Sequence, residues 1–144
     1  AMGASPTPMA LSEVYLALQQ NTVDGQENPI ATIMANKFNE VQNYLMLSGH
    51  VIQVTPITIS QKKYDSLPDD LKKILNDVIA EETEVVNKQM VLDEQKMIDE
   101  FGAMPNHKVV EVDKEAFRQA TQSVIKEFEN DWGKGLYEKI QEVK

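Results

Sequence analysis

The chain has 144 residues, 42% of them hydrophobic and 26% charged, which is enough for one domain with a hydrophobic core. Its net charge of -9 argues against nucleic-acid binding, which needs a basic surface, and against attraction to anionic lipid headgroups. The absence of cysteine excludes disulfides and thiolate chemistry, and no apolar run approaches the ~20 residues of a membrane span, so no direct membrane insertion is expected.

The amino-terminal segment predicts extended chain followed by one short helix. Residues 1–9 are rich in Gly and Pro, and proline disfavours helix at the residue before it. Ser12 is a candidate cap for a helix that runs to about Gln20. The polar residues 21–28 suit a turn with a short strand.

The next segment predicts a second helix and then a strand. Pro29 suits a first helical turn, because its missing N–H costs no hydrogen bond there. Apolar residues then recur at helical spacing as far as Leu45, either in one helix or with a break near Asn36-Lys37. His50–Ser60 is rich in Val, Ile and Thr and alternates in polarity, which predicts a strand with Pro56 at an edge or a bulge.

The longest predicted element is a helix over residues 69–101. Pro68 fits its start, Asp69 and Asp70 suit the positive end of the helix dipole, and Gly102 is the predicted stop. Such a helix is roughly 50 Å long, whereas a compact domain of this size is under about 40 Å across. The helix therefore kinks, forms a coiled coil, or packs against polypeptide that this chain lacks.

The carboxy-terminal part predicts a short strand and two helices. Residues 108–113 form the strand, and a helix starts at Asp113 or Lys114 and runs to about Asp131. Gly133 and Gly135 separate it from a last helix over residues 136–143.

No catalytic or cofactor motif is recognisable in the sequence, so an enzyme is not expected. His50 and His107 are far apart and have no companion ligands at metal spacing. Phosphate-binding loops, dinucleotide fingerprints and nucleophile elbows are absent, which predicts neither a cofactor nor a metal.

Asn28 is the best candidate for a ligand contact. An asparagine offers a donor and an acceptor without adding charge, and this one stands in a polar turn just before a proline. The alternative is an Asx-type cap for the helix that follows, which the residues alone favour.

Several segments together resemble one protein family. They are GASPTPM at 3–9, SEVY at 12–15, VDGQENP at 23–29, Lys37-Phe38, and SLP at 66–68 before the long helix. The combination resembles the solute-binding proteins of tripartite ATP-independent periplasmic (TRAP) transporters, in the branch that binds C4-dicarboxylates, sialic acids and sugar acids.

The resemblance implies an α/β fold of the periplasmic-binding-protein type, with two lobes that close on a ligand by a hinge motion. It implies that residues 1–144 are a carboxy-terminal part, with the first lobe missing and the long helix spanning both lobes. It also places the family's carboxylate-binding arginine upstream of residue 1, and the single arginine here, Arg118, does not match it.

The resemblance also assigns site residues. Asn28 matches the asparagine that bonds the ligand carboxylate, and Leu11 matches a cleft position where Phe is common. Glu27 and His50 match polar positions in or behind the cleft, acting through water. Thr55 stands where sialic-acid binders have Gln, which weakens that ligand assignment.

The implied function is an extracytoplasmic, periplasmic subunit that captures an organic acid anion and delivers it to the membrane subunits of a TRAP transporter. The alternative is an interaction module without a ligand, in which the helix over residues 69–101 self-associates through its apolar stripe.

Overall fold

The computed structural model describes residues 2–143, which form seven α-helices, one 3₁₀ turn and a two-stranded sheet. In chain order the elements are α1 (Leu11–Gln19), α2 (Ile30–Ala35), the 3₁₀ turn (Phe38–Glu40), β1 (Tyr44–Leu47), α3 (Gln61–Asp65), α4 (Asp69–Ala103), β2 (Lys108–Glu111), α5 (Lys114–Ala120), α6 (Gln122–Trp132) and α7 (Leu136–Glu142).

The sheet pairs β1 with β2 in parallel, and α4 lies between the two strands in the chain. Tyr44 is opposite Lys108 and Leu47 is opposite Glu111. Parallel neighbours need a long crossover connection, and here that connection includes the 35 residues of α4. The predicted strand over residues 108–113 is confirmed at Lys108–Glu111.

The hydrophobic core lies where α1, α2, the 3₁₀ turn, β1 and the end of α4 meet. Its fully buried members are Val14, Leu18, Ile33, Phe38, Leu45 and Phe101. Phe101 and Phe38 are its largest side chains and are each only 1% exposed. The core therefore fixes the turn after α1 and the end of β1 relative to each other. The candidate site residue Glu27 lies in this turn, and His50 follows β1 by three residues.

His107 connects the loop before β2 to the 3₁₀ turn. Its Nε2 lies 2.7 Å from the carbonyl oxygen of Asn39, and its ring packs edge-on against Phe101 with centroids 4.9 Å apart. These two contacts give His107 a structural role.

Helix α4 is uninterrupted from Asp69 to Ala103, and Phe101 is its only fully buried residue. It passes through Gly102, the predicted stop, and ends one residue later, at Ala103. Val85, Val86 and Met90 each remain about half exposed or more. The predicted long helix is confirmed, and among the described residues its apolar stripe is largely uncovered.

Three local predictions for the first half of the chain are wrong. Residues 51–60 form no strand, because the segment pairs with neither free edge of the two-stranded sheet. The helical spacing up to Leu45 covers α2, the 3₁₀ turn and β1, since Lys37 adopts a left-handed conformation (φ 58°) that ends the helix. Residues 21–28 form a turn without a strand.

Two helix boundaries also differ from prediction. Helix α1 begins at Leu11 after Ala10, so Ser12 lies inside its first turn and does not cap it. The predicted helix to Asp131 divides at Thr121, where the Thr121 hydroxyl hydrogen-bonds the carbonyl oxygens of Phe117 and Arg118. Such local bonds compete with regular helix geometry.

Candidate functional site

The structure brings together two of the five predicted site residues. Glu27 lies in the turn between α1 and α2, and His50 follows β1 by three residues. His50 Nε2 is 3.3 Å from Glu27 Oε2, although the two positions are 23 apart in the chain. The packing of α1 and α2 beside β1 therefore creates a polar cluster that neither segment contains alone.

A third side chain completes this cluster. Ser48 Oγ lies 2.7 Å from His50 Nδ1, so the imidazole stands between a hydroxyl and a carboxylate. The Glu27 side chain is 74% exposed and that of His50 is 39% exposed, so the cluster faces solvent. A solvent-facing set of donors and acceptors can bind a polar ligand directly or through water.

Asn28 lies next to Glu27 and is half-buried. Its Nδ2 donates a 2.7 Å hydrogen bond to Gln26 Oε1, two residues earlier. The alternative role for Asn28, an Asx-type cap of α2, is not formed. Pro29 is the N-cap residue of α2, and the cap has no side-chain hydrogen bond. The amide is thus oriented by its own loop, and its Oδ1 is not used by α2.

Leu11 and Thr55 are not part of this cluster. Leu11 is the first residue of α1 and is 44% exposed. Thr55 lies in the exposed segment 51–60, and among the described residues its side chain makes no hydrogen bond. Both positions lie on open surface.

The single arginine of the chain, Arg118, does not contribute its charge to the cluster. Arg118 is on α5, where its guanidinium makes two hydrogen bonds of 2.7 and 2.8 Å to Glu115. The same pairing, with a further bond from Gln119, lowers the pKa of the Glu115 carboxyl to about 2. Arg118 is therefore committed to a local ion pair.

A cationic side chain beside the cluster is that of Lys114, at the start of α5. A β-carbon placed on Gly49, between Ser48 and His50, would lie 3.6 Å from Lys114 Nζ. This ammonium group partly offsets the negative charge of Glu27 at the site.

A surface depression of about 300 Å³ lies elsewhere. It is open and lies among α5, α6 and α7, where Arg118, Trp132 and Tyr137 contribute to its wall. None of the predicted site residues lines it, and its one arginine is already paired. We therefore assign the candidate site to the Glu27–Asn28–His50 region, since polar groups converge there.

Residues 2–143 contain no group of three His, Cys, Asp or Glu side chains positioned to hold a metal ion. Within the same residues, no helix combines the length and the apolar character that a membrane crossing requires.

A family model matches residues 1–131, and its description is DctP, bacterial extracellular solute-binding protein, family 7. The chain belongs to this family. It is 38% identical over 138 residues to the sialic acid-binding periplasmic protein SiaP of Vibrio cholerae, covering 96% of this chain and 43% of the relative. It is 40% identical over 87 residues to the C4-dicarboxylate-binding periplasmic protein DctP of Rhodobacter capsulatus, covering 60% of this chain and 26% of that protein.

Solved structures give the same assignment for the fold. A TRAP periplasmic solute-binding protein from Polaromonas, bound to D-erythronate, matches with a TM-score of 0.72 and 37% identity, over 96% of this chain and 46% of that one. Another from Ochrobacterium anthropi, bound to L-fuconate, matches with a TM-score of 0.76 and 31% identity, over 96% of this chain and 45% of that one.

These comparisons confirm the predicted family and the predicted α/β fold of the periplasmic-binding-protein type. This family member spans less than half the length of the sialic acid-binding relative and of both solved structures.

Sequence analysis did not single out Ser48 or Gln26, the partners of His50 and Asn28. Both bonds join residues only two positions apart. The one signal for the first was Gly49, whose positive φ of 54° turns the chain between Ser48 and His50.

Proposed function

We propose that this family member supplies one wall of the ligand cleft in a periplasmic solute-binding protein, and that the protein delivers an organic acid anion to a TRAP transporter. The observation that carries the proposal is the cluster of Glu27, Asn28 and His50, in a chain whose solved relatives hold D-erythronate and L-fuconate. The role needs neither catalysis nor a cofactor.

Within this cluster, Asn28 is the proposed partner of the ligand carboxylate. Its Nδ2 donates one hydrogen bond to Gln26 Oε1. A ligand carboxylate oxygen would replace that acceptor or accept the second N–H of the same amide. The chain's net charge of -9 repels anions at long range, so local donors must supply the attraction. An amide donor suits this task because it adds no negative charge beside Glu27.

We further propose that polypeptide outside this chain completes the cleft and covers α4. The segment 51–60 exposes Val51, Ile52, Val54 and Ile57 by 67% to 91%, and the α4 stripe is similarly open. Exposed apolar surface of this extent marks an interaction site in soluble proteins. This is the arrangement expected if α4 crosses between two lobes.

The first test is calorimetric titration of this chain with D-erythronate, L-fuconate, sialic acid and succinate. We expect no binding, because one wall holds too few of the ligand contacts. Binding by this chain alone with a Kd below ~10 μM would contradict the incomplete cleft.

The second test uses a chimera in which this chain replaces the matching part of the Vibrio cholerae relative. In the chimera, Asn28→Ala should weaken binding of the preferred acid by about 1.5–3 kcal/mol, the worth of a hydrogen bond to a charged group. Asn43→Ala, at an exposed asparagine just before β1 and at the other end of that strand from His50, is the matched control and should leave affinity unchanged. Equal affinity for both variants would remove Asn28 from the site.

The second candidate is self-association through α4. The observation that favours it is the exposed stripe containing Val85, Met90 and Leu92, whose side chains are 55% to 64% exposed. It ranks lower because the cluster at Glu27, Asn28 and His50 has no part in it.

A further inference from the structure

Ser48 lies at the end of β1, one residue beyond the last paired position, and is half-buried. Its backbone N–H donates to the carbonyl oxygen of Met46 at 2.9 Å, which holds it close to the strand. Because β1 is paired with β2 and packs on the core through Leu45, Ser48 occupies a fixed place in the fold.

The contacts of His50 select one arrangement of its protons. An ionised Glu27 can only accept hydrogen bonds, so the ring nitrogen facing it, Nε2, must carry a proton. In the neutral ring Nδ1 is then an acceptor, and the Ser48 hydroxyl 2.7 Å away is the donor that matches it. When the ring is charged, the same hydroxyl accepts from Nδ1, so Ser48 suits both states.

We propose that Ser48 is a positioning residue, which orients the His50 imidazole towards Glu27 and so braces the loop that carries Asn28. The chain of contacts runs from the end of β1 through Ser48, His50 and Glu27 to the residue next to Asn28. This inference rests on the proposed function for its biological meaning, but the orientation of His50 is a property of this chain without ligand.

Gly49 lies in the turn that brings the two side chains together. Side chains two positions apart already share one face of a strand, and the left-handed φ of 54° at Gly49 ends the extended chain between Ser48 and His50. The charged groups around the turn are Glu27 from the loop after α1 and Lys114 from α5. Among the described residues, Lys114 forms no ion pair that would draw Glu27 away from His50.

The experiment measures the ¹⁵N chemical shifts of both imidazole nitrogens in the ligand-free chain at about pH 9, where an imidazole is normally neutral. We expect His50 to hold its proton on Nε2. Ser48→Ala should lower the ratio of the Nε2–H to the Nδ1–H tautomer about two- to tenfold, which corresponds to one net hydrogen bond. Ser48→Thr keeps the hydroxyl and should restore the ratio.

Two controls separate positioning from general damage. Ser60→Ala changes an exposed serine that makes no cap bond to α3, and it should leave His50 unchanged. The shifts of His107, the second histidine, should stay the same in every variant and so report an intact core.

A Ser48→Ala ratio equal to that of the parent chain, with His107 unchanged, would overturn the proposal, as would failure of Ser48→Thr to restore it. Neither result depends on ligand binding. The proposed function is tested separately, by the ligand affinity of the Asn28→Ala chimera.

Discussion

The molecule divides into a packed region and an open region. Both contain many apolar side chains, but these side chains are fully buried only in the packed region. The packed region comprises residues 9–47 and 97–111, and it contains every fully buried residue among those the structure describes. The open region comprises residues 51–96 and 112–143, where Ile52 is 91% exposed and Val54 is 82% exposed.

Helix α4 crosses this boundary and shows what the difference depends on. Its final turns place Phe101 in the core, whereas Val85 and Val86, two turns or more from that core, remain 55% and 49% exposed. Apolar side chains are present in both parts, so composition does not decide burial. This contrast supports the proposal that polypeptide outside residues 2–143 packs against the open region.

The largest expected effect tests the packed region. Phe101→Ala removes a side chain that is 1% exposed, and we expect a loss of about 3–5 kcal/mol in the free energy of unfolding, from lost burial and a cavity. Met90→Ala, on the open part of the same helix, should change it by less than about 0.5 kcal/mol. Urea unfolding followed by circular dichroism measures both, and equal effects would abolish the distinction between the regions.

Amide hydrogen exchange provides a sharper map of the same boundary. We expect amides near Phe101 to exchange at least ~10-fold more slowly than those around Val85, because the open part of α4 can unwind without disturbing the core. Uniform protection along α4 would show that its exposed part is held by contacts that the two-region description omits.

Light scattering tests whether copies of this chain associate through the exposed residues of α4. If exposed α4 side chains associate, the apparent mass should rise above the 16.3 kDa monomer as concentration increases, and Met90→Lys should reduce the rise. A mass that stays monomeric at every concentration would argue against self-association and leave the rest of a longer protein as the expected partner.

The smallest effect concerns charge in the open region. The Arg118 guanidinium lowers the pKa of the Glu115 carboxyl from 4.5 to about 2. Because this folded-state pKa is depressed, the pair stabilises α5 above pH 4.5 and its contribution is lost as pH falls towards 2. Arg118→Gln should move the NMR titration midpoint of Glu115 back towards 4.5.

Both side chains are more than half exposed, so solvent screening should keep the accompanying change in stability small. A midpoint that is already ordinary in the parent chain would show that the ion pair does not persist in solution.

Local sequence patterns predicted the elements whose signals are continuous and long. The apolar stripe and the proline start of α4 sufficed for a 35-residue helix, and the run of Val residues before Glu111 sufficed for β2. The same logic failed at residues 51–60, which have strong strand propensity but pair with neither edge of the sheet, and at Leu45, which has helical spacing but lies in β1. Propensity describes a segment, whereas a strand requires a neighbour.

The sequence by itself determined the family, through the motifs at residues 3–9 and 23–29, and it identified Glu27, Asn28 and His50 as candidate ligand contacts. Only the tertiary structure decided that Glu27 and His50 touch and that the His50 ring lies between the Ser48 hydroxyl and the Glu27 carboxylate. It also decided that Leu11 and Thr55 lie outside the cluster. The physical reason is that the Glu27–His50 contact joins segments that are far apart in the chain, and the packing of Phe38, Leu45 and Phe101 in the core sets how those segments approach each other.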